Sequence, residues 1–73
     1  MRPEAVREVL KDEPDRPKEV VMNDGSRYVI ASVEHWLASP DYLIILTNRR
    51  VVRHLAYRNI ASIGHLRRLR RAR

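Results

Sequence analysis

Residues 42–65 read Y-L-I-I-L-T-N-R-R-V-V-R-H-L-A-Y-R-N-I-A-S-I-G-H. The aliphatic run at residues 43–46 lies between turn-forming residues, which predicts a buried strand. Residues 51–56 follow as the second strand of a hairpin with a longer or irregular loop, because Asn48 is not followed by glycine. Residues 60–63 resume the pattern as another short strand. Strands this close together leave little room for a helix between them and indicate a mainly β domain.

The residues before this stretch predict a helix and two further strands. Residues 3–13 form an amphipathic helix that starts at Pro3 and ends before Pro14. Strands at residues 19–22 and 27–33 flank a turn that contains Asp24-Gly25, the strongest hairpin signal in the chain. Residues 34–41 are predicted as a loop that holds Trp36. The sequence therefore predicts one domain, residues 1–65, folded as a small five-stranded β-barrel with an N-terminal helix, and an Arg-rich tail at residues 66–73.

Composition narrows the class of protein. The chain has 73 residues and no cysteine, so we expect a single domain without disulfides or a thiolate metal site. No apolar run is long enough to span a bilayer. The first residues are charged and lack the apolar segment of a signal peptide. We therefore expect a cytoplasmic protein without a membrane partner.

Charge is distributed very unevenly along the chain. Residues 1–41 carry six basic and nine acidic side chains, a net charge of −3, whereas residues 42–73 carry nine arginines and no acid or lysine. Such asymmetry is typical of a chain whose basic end faces a polyanion. Guanidinium groups suit phosphate because they offer two parallel donors and also stack on bases. The alternative is a genome-wide preference for arginine.

Two sequence segments carry a resemblance to a known family. The segments V-M-N-D-G-S-R-Y, at residues 21–28, and Y-R-N-I-A-S-I, at residues 57–63, resemble the two turn motifs of the Sm-like family of small β-barrels, in an Hfq-like layout. That resemblance implies a ring-forming RNA-binding protein with Tyr57, Arg58 and Asn59 at a base pocket. The family carries a glycine within its second strand, where this chain has Ile30 or Ala31. The chain is also similar to short uncharacterised bacterial small-barrel proteins.

Two groups of residues are candidates for contact with nucleic acid. Tyr57, Arg58 and Asn59 could hold a base by stacking, phosphate contact and an amide edge. They could also form a tight turn in which Asn59 tolerates a left-handed backbone and Tyr57 packs on the mouth of the barrel. The tail could grip phosphates, or it could be a solvated tail that aids solubility. Its candidate residues are Arg67, Arg68, Arg70, Arg71 and Arg73.

The remaining sequence patterns do not match those of enzymes or metal-binding proteins. His35, His54 and His65 match no metal-ligand spacing. The sequence contains no catalytic triad order, paired-carboxylate motif or phosphate-binding glycine loop. We therefore predict a protein that is not an enzyme, has no cofactor, no metal site and no small-molecule substrate, and binds RNA or another single-stranded nucleic acid. The alternative is a structural or protein-interaction module. Either way, unpaired strand edges predict a homo-oligomer.

Overall fold

A computed structural model describes residues 1–47 and 49–66 of the chain. Within those residues the chain forms one α-helix and six strands. They are α1 (Pro3–Lys11), β1 (Lys18–Met22), β2 (Arg27–Ile30), β3 (Trp36–Ala38), β4 (Tyr42–Leu46), β5 (Val52–Ala56) and β6 (Ile60–His65). Short 3-10 turns at Val33–His35 and Tyr57–Asn59 precede β3 and β6. In the described part of the chain, no helix has the length and apolar character needed to cross a membrane.

The strands form two separate antiparallel sheets of three strands each, in the orders β2-β1-β6 and β3-β4-β5. In the first sheet Val20 lies opposite both Tyr28 and Ile63, and in the second Leu43 lies opposite Leu55. The predicted five-stranded Sm-like barrel is therefore wrong. Over residues 1–47 and 49–66 the sheets do not join into a closed barrel.

The division into two sheets begins at Ser32. The sequence predicts one strand over residues 27–33, but β2 ends at Ile30. The Ser32 hydroxyl accepts a hydrogen bond from the Glu34 amide and lies 3.0 Å from His35 Nδ1. This side-chain cap favours a 3-10 turn over continued strand pairing. The turn redirects the chain, so Trp36–Ala38 pairs with β4 as a strand where a loop was predicted.

An aliphatic core lies between the sheets and the helix. It consists of Val6, Leu10, Val20, Ile30, Leu43, Ile45, Leu55, Tyr57, Ile60 and Ile63. Along β4 the side chains of Leu43 and Ile45 are buried while their neighbours are not, which is the period-two pattern of a strand with one face on a core. The apolar stripe of α1 buries Val6 and Leu10, so the predicted helix is confirmed, ending two residues before the predicted boundary at Glu13.

The predicted turn between the first two strands is also confirmed. Gly25 has a φ of 92°, a left-handed conformation that a residue with a Cβ rarely adopts. The β4–β5 connection spans residues 47–51, which agrees with the predicted longer loop. In this connection Arg50 supplies the left-handed residue, with a φ of 67°, and its amide donates to the Thr47 carbonyl over 2.8 Å.

Tyr57 connects the two sheets at the point where the chain leaves one for the other. Its side chain is 6% exposed and belongs to the core. Its hydroxyl donates a 2.7 Å hydrogen bond to the carbonyl of Ser39, just after β3. Burial raises the pKa of Tyr57 above its ordinary value of 10.0.

We expect the Tyr57→Phe variant to be less stable by about 1 kcal/mol, because the Ser39 carbonyl loses its donor. The raised pKa of Tyr57 means that the folded state holds this proton more tightly than the unfolded state. The stability advantage of the wild type over the variant is therefore complete below pH 10.0 and shrinks as the pH rises above it. Urea unfolding of both proteins from pH 7 to pH 11 measures this difference. Equal stability at neutral pH would contradict a structural role for the hydroxyl.

Candidate nucleic-acid interface

A basic cleft opens between the two sheets at one end of the core. Its lining residues are Arg27, Tyr28, Thr47, Arg49, Val51 and Arg53, and its volume is about 370 Å³. Three of these residues are arginines, and the described lining includes no acid. Pockets of about 300–1,000 Å³ are the usual size of small-ligand sites. We refer to this feature as the basic cleft.

A cation–π contact joins Arg53 and Tyr28 in the lining of the basic cleft. The Cζ atom of Arg53 lies 5.7 Å from the centre of the Tyr28 ring, within the range of a cation–π contact. Tyr28 lies opposite buried Val20 and Arg53 lies opposite buried Ile45, so both side chains leave their strands on the core side. The apolar core therefore ends at this pair, which covers it with an aromatic ring and a guanidinium group.

The other two arginines of the basic cleft are held by local structure. Arg27 Nη1 lies 3.3 Å from Glu19 Oε2, and both side chains are partly exposed, so this ion pair contributes little to stability. Arg49 lies in the β4–β5 turn, where Thr47 Oγ1 accepts hydrogen bonds from the amides of Arg49 and Val51 over 3.3 and 3.2 Å. Buried Thr47 therefore fixes the backbone that carries Arg49.

A second depression adjoins the basic cleft. It is lined by Met22, Asn23, Asp24, Ser26, Tyr28 and Asn59, and its volume is about 340 Å³. We call it the turn hollow, because most of its lining comes from the β1–β2 turn. Tyr28 borders both features. The basic cleft and the turn hollow are therefore neighbours that share one aromatic ring.

The turn hollow has a fixed polar rim. Asp24 Oδ1 accepts a 2.9 Å hydrogen bond from the Ser26 amide, and hydrogen bonds from the backbone and side chain of Ser26 hold the pKa of Asp24 below its ordinary value of 3.8. Asn23 Nδ2 donates to the Arg58 carbonyl over 3.0 Å, and the Asn23 amide donates to the Asn59 carbonyl over 2.8 Å. These bonds attach the Tyr57–Asn59 turn to the β1–β2 turn.

The structure separates the three residues of the predicted base pocket. Tyr57 is buried in the core, whereas Arg58 and Asn59 are exposed. Asn59 lines the turn hollow beside Tyr28. The predicted tail residues Arg67, Arg68, Arg70, Arg71 and Arg73 lie outside the described residues. Contact of either group with nucleic acid stays a prediction.

Sequence reasoning missed the residues of the basic cleft. Arg49 and Arg53 stand four residues apart, but the turn at Arg50 lies between them, so the alternation of an extended chain does not place them on one side. Arg27 and Tyr28 directly follow the Asp-Gly turn. The sequence held no local signal for the basic cleft, because only the packing of the two sheets brings Arg53 to Tyr28.

A cluster of possible metal ligands lies elsewhere, between the end of α1 and β6. One ligand atom from each of Asp12, Glu13 and His65 lies within 4.8 Å of the others. These groups already have partners: His65 Nε2 lies 3.0 Å from Asp12 Oδ2, and Arg16 Nη1 lies 3.2 Å from Glu13 Oε1. The buried Lys18 ammonium donates to the carbonyls of Glu13 and Arg16 over 3.0 and 3.1 Å. The cluster therefore fits an ion-pair network that fastens the linker after α1.

Comparisons of this chain with protein-family models, with curated proteins and with solved structures find no match.

Proposed function

We propose that this protein is a non-enzymatic module that binds single-stranded nucleic acid, in particular RNA, in the basic cleft. The observation that carries the proposal is the cation–π contact of Arg53 with Tyr28, with Arg27 and Arg49 in the same lining. Proteins that bind single strands combine a positively charged groove with aromatic side chains on which bases stack. The basic cleft has both features within one depression. We propose the cytoplasm as the compartment, because single-stranded RNA is available there.

The basic cleft favours phosphate for electrostatic reasons. The guanidinium groups of Arg49 and Arg53 keep their charge near neutral pH because arginine cannot lose its proton, while that of Arg27 is paired with Glu19. A bound phosphate accepts charge-assisted hydrogen bonds from the planar guanidinium donors. Arg53 already lies over the Tyr28 ring, so a base could extend this stack while its phosphate contacts Arg27 or Arg49. The Arg-rich tail, residues 66–73, would add contacts that do not depend on sequence.

The proposal predicts a specific pattern among variants of Arg53. Arg53→Gln removes one charge and the stacked plane, so we expect it to weaken binding to nine-nucleotide oligouridine RNA by about tenfold, or about 1.4 kcal/mol. The slope of log affinity against log salt should fall by about 0.7. Arg53→Lys keeps the charge but lacks the planar guanidinium group. We therefore expect the salt slope to equal that of the wild type while the affinity stays reduced. Fluorescence anisotropy between 25 and 200 mM salt measures both quantities.

Arg2→Gln is the matched control, because it removes the same charge from an exposed side chain before α1, outside the lining of the basic cleft. Melting temperatures of all variants show whether they fold. If Arg53→Gln and Arg2→Gln weaken binding equally, the interaction depends on net charge and the basic cleft has no special role. If the folded wild type binds no single strand at low salt, the proposed function is wrong.

A second candidate function is self-assembly, and exposed apolar side chains favour it. Leu37 and Val52 are 63% and 57% exposed on the second sheet, and Tyr42 and Val51 are also exposed. Strands β3 and β5 are the edges of that sheet in the described part of the chain. Unpaired edges and exposed apolar patches are typical of surfaces that pair with another chain. We propose a homo-oligomer that covers these residues.

Assembly of this kind predicts that substitution of the most exposed apolar residues reduces the molecular mass in solution. We expect sedimentation equilibrium at micromolar concentration to give a multiple of 8.6 kDa for the wild type. The double substitution Leu37→Ser and Val52→Thr should shift the mass toward that of a single chain, because these side chains contribute little to the core. A wild type that sediments as a monomer at every concentration would contradict the assembly.

A further inference from the structure

The lining of the turn hollow includes an acidic residue, whereas the described lining of the basic cleft does not. Its rim carries the Asp24 carboxylate, which is exposed and held in place by the 2.9 Å bond from the Ser26 amide to Oδ1. Asn59 lines the same depression. The Ser26 amide therefore fixes one carboxylate oxygen, the Ser26 side chain also hydrogen-bonds this carboxylate, and the exposed group keeps further acceptor positions for a ligand.

A carboxylate beside a cleft that attracts phosphate favours one orientation of a nucleotide that occupies both depressions. Asp24 repels phosphate, whereas Arg27, Arg49 and Arg53 attract it. Tyr28 borders both depressions. A nucleotide that stacks on Tyr28 therefore has its lowest energy with its phosphate in the basic cleft and its base in the turn hollow.

The identity of the base follows from the hydrogen-bonding groups of the rim. An ionised carboxylate only accepts hydrogen bonds, so it selects a base edge that donates. Among the four RNA bases, guanine alone presents two adjacent donors, N1–H and N2–H, on its Watson–Crick edge. Uracil presents one donor between two acceptors, and adenine presents a donor beside an acceptor. A carboxylate oxygen next to any of those acceptors is repelled.

We infer that the turn hollow binds guanine in single-stranded RNA, with the N1–H and N2–H groups donating to the Asp24 carboxylate, the base stacked on Tyr28, and the adjoining phosphate in the basic cleft. This inference rests on the proposed function, because the stack and the phosphate contacts belong to the basic cleft. Asn59 lines the same hollow and is in a position to contact the remaining polar atoms of the base. Contact with the base would therefore give the site a sequence preference, which phosphate contacts cannot supply.

The carboxylate stays ionised under ordinary conditions. Hydrogen bonds from Ser26 hold the pKa of Asp24 below 3.8, so this group carries its charge at pH 5 as it does at pH 7. The preference for guanine should therefore be the same at both values. A preference that disappeared at pH 5 would point to a histidine as its source, because His is the side chain whose ordinary titration lies in that range.

The test compares nine-nucleotide RNAs that differ only at the central base. Oligouridine is the reference, and guanine, inosine or adenine replaces the middle uracil. We expect the wild type to bind the guanine strand about tenfold more tightly than oligouridine, as for other two-donor contacts with a base edge. Inosine lacks the N2 amino group and should fall between the two. The matching DNA strand shows whether the preference depends on the ribose.

Asp24→Asn is the informative variant. Asparagine can still accept the Ser26 amide bond and form the same turn, so the fold should be retained. The variant should bind oligouridine at least as well as the wild type and lose the preference for guanine to below about twofold, because one side of its side chain becomes a donor. Asp15→Asn, an exposed acid of the linker after α1, is the matched control and should retain the preference.

The possible results separate the inference from the proposed function. If the wild type binds all four RNAs equally, or if Asp24→Asn keeps the preference, the guanine site is wrong, while the dependence of oligouridine binding on Arg53 still supports the basic cleft. If no RNA binds to the folded wild type, both are wrong. If the guanine preference is present, lost in Asp24→Asn and kept in Asp15→Asn, the inference is confirmed.

Discussion

The hydrogen bond from the Tyr57 hydroxyl to the Ser39 carbonyl fixes the position of the segment where the chain passes from the second sheet to the first. Because Tyr57 is buried, it provides aromatic packing for a core that is otherwise aliphatic. That burial also removes its ring from the surface. Tyr28, at the open end of the core, is the aromatic side chain that lies beside the arginines of the basic cleft.

Much of the local structure could be predicted from the sequence. The helix from Pro3, the Asp24-Gly25 turn and the strands at Tyr42–Leu46 and Val52–Ala56 follow from periodicity and turn chemistry, which act over a few residues. The arrangement of the strands could not be predicted in the same way. The cap at Ser32 ends β2 and starts a 3-10 turn, a competition between side-chain and backbone hydrogen bonds that hydrophobic alternation does not reveal. The predicted strand at residues 27–33 therefore ends early, and part of the predicted loop at residues 34–41 pairs as β3 in a second sheet.

The candidate site depends on contacts between residues distant in sequence. Arg53 and Tyr28 lie on different sheets, and their 5.7 Å contact results from how the sheets pack. A sequence shows that both residues exist and that arginines are concentrated after residue 41, but it does not show which arginine meets which ring. The turn motif in the sequence identified Asn59 as a candidate binding residue. In the structure Asn59 and Tyr28 line the same depression, which no local sequence pattern predicts. Charge asymmetry thus predicts a polyanionic partner, whereas the packing of the sheets determines which arginine and which ring line one depression.

The most direct test of the basic cleft is an NMR titration of the isotope-labelled protein with nine-nucleotide oligouridine RNA. Binding in the basic cleft predicts that the largest shift changes occur at the backbone amides of Tyr28, Arg49 and Arg53 and at the Arg53 guanidinium. Amides on the outer face of the second sheet, such as that of Leu37, should change little. Shift changes confined to that outer face or to the tail, with Tyr28 and Arg53 unaffected, would contradict binding in the basic cleft.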